Sequence, residues 1–277
     1  MRYRWISFTT DYGLADGFVA ACHGVLATLA PEARVIDITH QVPPQHVRRG
    51  AVALAQTVPY LPEAVHVAVV DPGVGTRRRG VVVSAAQGVL VGPDNGLLLP
   101  AADALGGVHA AYELAASAYR LSTTSATFHG RDIFAPAAAH LARGIAPEEF
   151  GPAVDDLVQL PEQPVTARPH QLRAEVLTVD GFGNVSLAAS AADLNTAAFP
   201  GPVRVRCGEK VLPASLGRTF ADVPTGAAVL LIDSSGRPAI AINGGSAADA
   251  LAIHNRTAPI SCDITPASEP EFDGELR

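Results

Sequence analysis

No run of apolar residues in this 277-residue chain approaches the roughly 18 that a membrane-spanning helix needs. The apolar stretch at the N-terminus is too short for a secretory leader. Basic charge is scarce: 20 Lys and Arg stand against 27 Asp and Glu, a net charge of -7. A chain without a basic stripe has nothing to neutralise phosphates, which argues against a nucleic-acid binder. The three cysteines, Cys22, Cys207 and Cys262, are odd in number and scattered, and no Cys-x-x-Cys occurs. They offer neither a disulfide framework nor a metal-ligand spacing, so the expected compartment is the reducing cytoplasm.

Several chemical signatures are missing as well. No Gly-x-Gly-x-x-Gly opens a helix after the first strand, and no Gly-Lys-Ser/Thr follows a glycine loop. His-Glu-x-x-His and Gly-x-Ser-x-Gly are absent too. Dinucleotide-binding, P-loop, zinc-hydrolase and serine-esterase readings lose their support. There is no internal repeat. What remains is 48% apolar and 17% charged, the composition of a well-packed globular enzyme with one large or two ordinary domains.

The pattern along the chain predicts an α/β N-terminal domain over 1–160. Strands at Trp5–Thr9, Val35–Ile38, Val65–Val70, Gly80–Ser84 and Val89–Gly92 alternate with helices at Val19–Leu29 and about Gln45–Val58. Asp16 is a candidate N-cap for the first helix. Such alternation implies a largely parallel sheet. Pro161, Pro164 and Pro169 mark 161–170 as a linker. Beyond it, alternating Leu172–Val179, a hairpin around Gly208-Glu209 and another around Asp233–Gly236 predict a small antiparallel, barrel-like β domain over 171–264. An acidic, proline-bearing tail, expected to fray, follows over 265–277.

The most informative stretch is Val67–Thr76, followed by Arg77, Arg78 and Arg79. A valine-rich strand ends in Asp71, then a Pro-Gly-Val-Gly turn, then three cations. In open α/β sheets, ligands sit at the carboxyl ends of strands. A carboxylate with guanidinium groups there is a candidate site; the plain alternative is a turn with solvated arginines. The first strand also ends on a carboxylate, Asp11. His129-Gly130-Arg131-Asp132 stands at the mouth of a helix, as either a capped terminus or a polar site. Asp11, Asp71, Asp94 and Asp132 leave a Mg²⁺ ion open.

These segments together resemble the S-adenosylmethionine (SAM) hydroxide adenosyltransferases, adenosine-forming SAM hydrolases related to the fluorinases and chlorinases. The matching stretches are 9–18, 36–40 with 42–44, 69–76, 91–97, 128–136, 182–184, and 232–236 with 242–246, in family order across nearly the whole chain. The resemblance implies an N-terminal α/β domain, a C-terminal β-barrel-like domain and a homotrimer with sites between subunits. It implies that water or hydroxide displaces methionine from C5′ of SAM, with no metal or other cofactor. The family's catalytic set maps onto Asp71, Arg78 and His129, with Arg77 and Arg79 as neighbours one position away. Asp11 resembles the ribose-binding carboxylate, and Asp180 and Ser234 the groups that hold the methionine moiety. Asn184 and the backbone at Gly244 resemble the adenine-reading edge, with Phe220 stacking on the base. Val185–Ala188 departs from the family's usual Thr-Asn continuation. The halogenating relatives carry an aromatic residue in place of Asp71 and a halide-binding serine in place of Gly130, so this chain resembles the water-using branch. A SAM-dependent halogenase and a SAM- or adenosine-binding sensor are the alternatives.

Overall fold

The computed structural model describes residues 2–253 and 259–267, and the chain parts into two compact units between Pro161 and Glu162. In the first unit, β1 (Trp5–Thr10), α1 (Phe18–Leu29), β2 (Arg34–Thr39), α2 (Val47–Thr57) and β3 (Ala64–Val69) alternate. Then follow β4 (Gly80–Ala85), β5 (Gly88–Pro93), α3 (Leu99–Ala104), β6 (Val108–Glu113) and α4 (Ala135–Arg143). The sheet order is β2-β1-β3-β5-β4-β6. The pairs β1–β2, β1–β3 and β3–β5 are parallel, whereas β4 is antiparallel to both β5 and β6. The short Ala86-Gln87 link between β4 and β5 dictates that reversal, because a parallel return needs a crossover of a dozen or more residues. Every residue of β3 is buried. One face of the sheet packs Phe8, Val67 and Val91 with Leu26 of α1 and Ala138 of α4; the other packs Val70, Val81 and Leu90 with Leu54 of α2 and Ala101 of α3. A strand covered on both faces reads as a continuous apolar run, which is why Ala64–Val70 stands out in the sequence.

From β1 the chain moves outward to β2 and then returns to the other side of β1 as β3. The carboxyl ends of β1 and β3 therefore flank a topological switch point, where α/β sheets open a crevice. Asp11 follows β1 directly and Asp71 lies two residues past β3.

The second unit contains β7 (Val165–Arg168), β8 (Gln171–Val179), β9 (Val185–Leu187), α5 (Ala191–Ala197), β10 (Val203–Cys207) and β11 (Lys210–Leu216). It continues with β12 (Ala228–Ile232), β13 (Pro238–Ile242), α6 (Ala247–Ala250) and β14 (Ser261–Pro266). Strands β14-β10-β11-β12-β13-β9-β8 run in order, and a β14–β8 pairing closes them into a barrel. Along β10, Val203, Val205 and Cys207 point inward and Arg204 and Arg206 outward, the period-2 pattern of a half-buried strand. Leu172, Leu187, Leu230, Ile240 and Ile264 fill the interior.

The expected fold class is borne out, with local corrections. One barrel pairing, β11–β12, is parallel. The stretch 161–170 contains strand β7, so it is not a bare linker; its prolines flank an edge strand, where proline is tolerated. Strand β14 runs to Pro266, so residues 265 and 266 belong to the barrel, and the rest of the expected tail from 268 lies outside the described residues. The N-cap of α1 is Gly17, without a side-chain cap, rather than Asp16. Cys207 and Cys262 are disulfide-bonded, with Cα atoms 4.5 Å apart. They are directly opposite each other where β10 and β14 pair, a proximity that a separation of 55 residues conceals. Cys22 is the free, buried cysteine.

Candidate active site

Asp71, Arg78 and His129 converge in the first unit. Arg78 donates from Nε to Asp71 Oδ1 over 3.0 Å and from Nη2 to Asp71 Oδ2, a fork-on-fork pair. Both side chains are nearly closed to solvent. The same Nη2 lies 3.1 Å from His129 Nδ1. A guanidinium can only donate, so Nδ1 is the acceptor and a neutral His129 carries its proton on Nε2. Burial, and then the Arg78 charge, hold the His129 pKa below its ordinary value, which keeps the ring neutral at pH 7.

The neighbouring arginines separate by geometry. Arg79 binds Asp94 Oδ2 at 3.0 and 2.6 Å and Asp156 Oδ1 at 2.7 Å, so it braces the Pro93–Gly96 turn. Arg77 is exposed. Arg78 is thus the arginine that meets Asp71 and His129. Asn95 Nδ2 donates to the Val70 carbonyl over 2.9 Å, steadying the chain one residue ahead of Asp71.

His129 enters the site at the start of a π-helical turn, Gly130–Phe134, that leads into α4; the Ala135 amide reaches back to the Gly130 carbonyl. Such widened turns recur at functional sites. Asp132 is buried and bound by Arg131 at 2.6 and 3.0 Å, with the Ser125 amide at 2.8 Å, so it anchors this turn. The aspartates considered for Mg²⁺ thus do not gather around one point: Asp71, Asp94 and Asp132 each pair with a different arginine.

Asp11 Oδ2 accepts the Gln45 amide over 2.8 Å. Gln45 holds φ at +64°, a left-handed conformation uncommon outside glycine, directly after Pro43-Pro44. Burial raises the Asp11 pKa against the Gln45 amide, and the nearby Asp71 charge adds to the rise. Tyr12 lies at the same place. Its ring packs edge-on against Phe128, with centroids 5.7 Å apart, and tilted against Phe18 at 6.1 Å. A Cβ added at Gly130 would fall 2.0 Å from the Tyr12 hydroxyl oxygen. Only glycine lets the two segments approach this closely. Burial pushes the Tyr12 pKa well above its ordinary range, so the hydroxyl stays protonated. Sequence reasoning missed Tyr12 and Gln45; the proline pair before Gln45 was the one available signal.

In the second unit, Asp180 organises its own loop. Its Oδ1 accepts the Phe182 and Asn184 amides, each at 2.9 Å, and its Oδ2 accepts Asn184 Nδ2 at 2.8 Å. Asp180 and Asn184 are therefore brought together, with Asp180 as a turn former. Ser234 is exposed in the β12–β13 turn, which Asp233 holds by accepting the Ser235 and Arg237 amides at 2.8 and 3.1 Å. Gly244, at φ +72°, sits in the bend after β13, and a Cβ there would meet Thr225 Cγ2 at 3.3 Å. Ser246 of the same bend touches the Gly183 loop, where the Ala248 amide donates to the Gly183 carbonyl over 2.9 Å. Phe220 stands 47% exposed on a single helical turn, Phe220–Asp222.

The chain matches the SAM hydroxide adenosyltransferase N-terminal domain over residues 6–151 and the C-terminal domain of the same family over 174–258. A protein named (R)-S-adenosyl-L-methionine hydrolase from Salinispora arenicola is 61% identical over 90% of this chain and 94% of its own length. A Thermus thermophilus protein of the same name is 44% identical over 90% and 96%. A fluorinase from Nocardia brasiliensis is more distant, at 30% identity over 88% and 91%. Among solved structures, an uncharacterized conserved protein from Thermotoga maritima superposes with a TM-score of 0.85 at 36% identity, covering 94% of this chain and 99% of its own. This chain belongs to the SAM hydroxide adenosyltransferase family.

Proposed function

We propose that the protein hydrolyses S-adenosyl-L-methionine to adenosine and L-methionine by attack of water on C5′. The observation that carries this reading is the Asp71–Arg78–His129 constellation at the carboxyl edge of the parallel strands. The names of the hydrolase relatives specify the R configuration at sulfur, and we extend that preference to this chain.

The leaving group sets the chemical problem. A sulfonium departs as a neutral thioether, so it takes the C5′–S electron pair and needs neither a proton nor a metal. The difficulty lies in holding a single water in line with that bond, away from bulk solvent. Arg78 is the fixed cation that holds the Asp71 carboxylate ionised and in place beside the attacking water. Asp71 is anchored on two sides by Arg78 and keeps further lone pairs to orient the water. As the C5′–O bond forms, the attacking oxygen becomes a strongly acidic protonated alcohol, which gives up its proton to a carboxylate. Position, not base strength, is what Asp71 must supply. Neutral His129 fixes the Arg78 fork from the other side. Sulfur loses its stereocentre on departure, so an R preference resides in substrate binding and not in the products.

The substrate assignments follow the family pattern. Asp11 receives the ribose hydroxyls; Asp180 and Ser234 hold the methionine ammonium and carboxylate; Asn184 and the Gly244 backbone read adenine, and Phe220 stacks on it. The assembly is a homotrimer with sites at subunit interfaces, and no cofactor takes part. Large apolar side chains left open on a single chain support the assembly: Phe182 is 83% exposed. A cytoplasmic location rests on the substrate, a charged zwitterion that does not cross a bilayer unaided; the cysteine argument for it lapses with the Cys207–Cys262 bond. No helix among the described residues is long and apolar enough to cross a membrane.

The halogenase alternative loses ground at Gly130, because the Tyr12 hydroxyl fills the space a serine there would need. Incubation of the protein with each sulfonium epimer in chloride-containing buffer tests the reading. Adenosine released faster from the R epimer is expected. A 5′-halogenated product, or no adenosine from either epimer, sinks it.

A further inference from the structure

A second group of side chains stands apart from the Asp71 constellation, and nothing in the proposed reaction uses it. His23 on α1, Asp37 on β2 and His40 just past β2 each turn one donor atom toward a common point, and these atoms all lie within 4.8 Å of one another. His23 Nε2 is 2.9 Å and His40 Nε2 3.0 Å from Asp37 Oδ1. The second distance is not a hydrogen bond: His40 is 4% exposed, and its Nε2 is a buried nitrogen without a partner of acceptable geometry. A buried imidazole nitrogen aimed at a carboxylate and a second imidazole, yet left unsatisfied, calls for a ligand.

The surroundings of His40 accommodate the tautomer that binds metals. Its Nδ1 lies 2.8 Å from Thr10 Oγ1, which also accepts the Tyr12 amide over 3.2 Å. A hydroxyl oxygen has two lone pairs, so it can accept both the Tyr12 N–H and an Nδ1–H. In that tautomer the His40 Nε2 lone pair faces Asp37 and His23. A ligating histidine commonly carries such a hydrogen bond from its other ring nitrogen, which fixes ring orientation and raises basicity.

We propose that His23, Asp37 and His40 bind a divalent first-row transition-metal ion, with zinc as the representative. Two neutral imidazoles and one carboxylate suit zinc and its neighbours rather than calcium or magnesium, which favour all-oxygen cages. Donors bound tetrahedrally to zinc lie about 3.3 Å apart, given bonds of about 2.05 Å. The two nitrogens at 2.9 and 3.0 Å from the Asp37 oxygen need only a small expansion, and they lie within 4.8 Å of each other. Three protein ligands leave coordination positions open, on the side where His23 and Asp37 are part-exposed. The ion ties α1 to the end of β2. Through Thr10 it also reaches the segment that carries Asp11. This proposal does not depend on the hydrolase reading.

Tag-free, chelator-treated protein titrated with Co²⁺ tests it by visible absorption, followed by displacement with Zn²⁺. One equivalent of Co²⁺ is expected, with displacement by Zn²⁺ and a higher melting temperature in the loaded protein. His23→Ala and Asp37→Asn, both at part-exposed positions, should each weaken uptake at least tenfold. His109→Ala, at an exposed position on β6, should leave it unchanged. Failure of the wild type to take up either ion below millimolar concentration overturns the proposal. So does affinity unaltered in both His23→Ala and Asp37→Asn.

Discussion

Substituting alanine at Gly130 is the sharpest test of how the first unit is packed. The new methyl would lie 2.0 Å from the Tyr12 hydroxyl oxygen, 3.0 Å from Cζ and 3.2 Å from Cε2. Tyr12 would have to retreat by more than an ångström, but Phe128 and Phe18 hem its ring. Overpacking of this kind costs typically about 1–3 kcal/mol, and a contact this short against a confined ring belongs at the upper end. Alanine recovers about 1 kcal/mol over glycine in a helical turn, for a net loss of about 2 kcal/mol. In a Tyr12→Phe background the worst contact disappears and those remaining need shifts of only tenths of an ångström, so the same change should be nearly neutral. Urea unfolding of the four proteins gives a coupling energy of about 2 kcal/mol in a double-mutant cycle. Equal cost of Gly130→Ala in both backgrounds would refute the idea that the Tyr12 hydroxyl reserves this space. It would also remove the structural argument against a serine there.

Two further outcomes follow from buried groups. His66 is fully buried and bonded through Nδ1 to Ser7 Oγ at 2.8 Å, and burial lowers its pKa to about 4. Its unfolded value is about 6.5, so between the two the unfolded chain binds more protons and stability falls as pH falls. The His66 contribution to this loss should reach about 2.5 kcal/mol at pH 4.5, read as the difference between wild type and His66→Gln in urea midpoints across pH; identical pH dependences would contradict it. The Cys207–Cys262 bond closes a loop spanning 55 positions, for which loop entropy gives about 4 kcal/mol. Reductant should lower the unfolding midpoint, and thiol titration of the unfolded, unreduced chain should count Cys22 alone; three reactive thiols would show that the bond does not form.

The parts of the fold that were legible in the sequence are those where one local pattern has one physical meaning. The apolar run ending in Asp71 could only be a strand covered on both faces, and its abrupt charge marked the carboxyl edge of the sheet. The hairpins around Gly208-Glu209 and Asp233–Gly236 were readable for the same reason. What stayed hidden depends on segments meeting in space. Cys207 and Cys262 face each other only because the barrel closes. Tyr12 matters because another loop passes within contact of its hydroxyl. His23, Asp37 and His40 fit no linear zinc motif, since a helix and a strand bring them together. At Asp180 and Asn184, which sequence likeness matches to substrate contacts, the sequence did not show that the Asp180 carboxylate also holds its own loop, accepting the Phe182 and Asn184 amides.

The central claim, that water oriented by the Asp71 site attacks C5′ of the sulfonium substrate, is tested most directly by isotope. Purified protein and Asp71→Ala are incubated with the R epimer of SAM in ¹⁸O-water without halide, and the adenosine is weighed by mass spectrometry. The account predicts adenosine bearing one ¹⁸O at C5′ from the wild type, falling by at least a hundredfold in the variant, roughly 2.7 kcal/mol of transition-state stabilisation. Unlabelled adenosine, or labelled adenosine formed equally fast by Asp71→Ala, would contradict it.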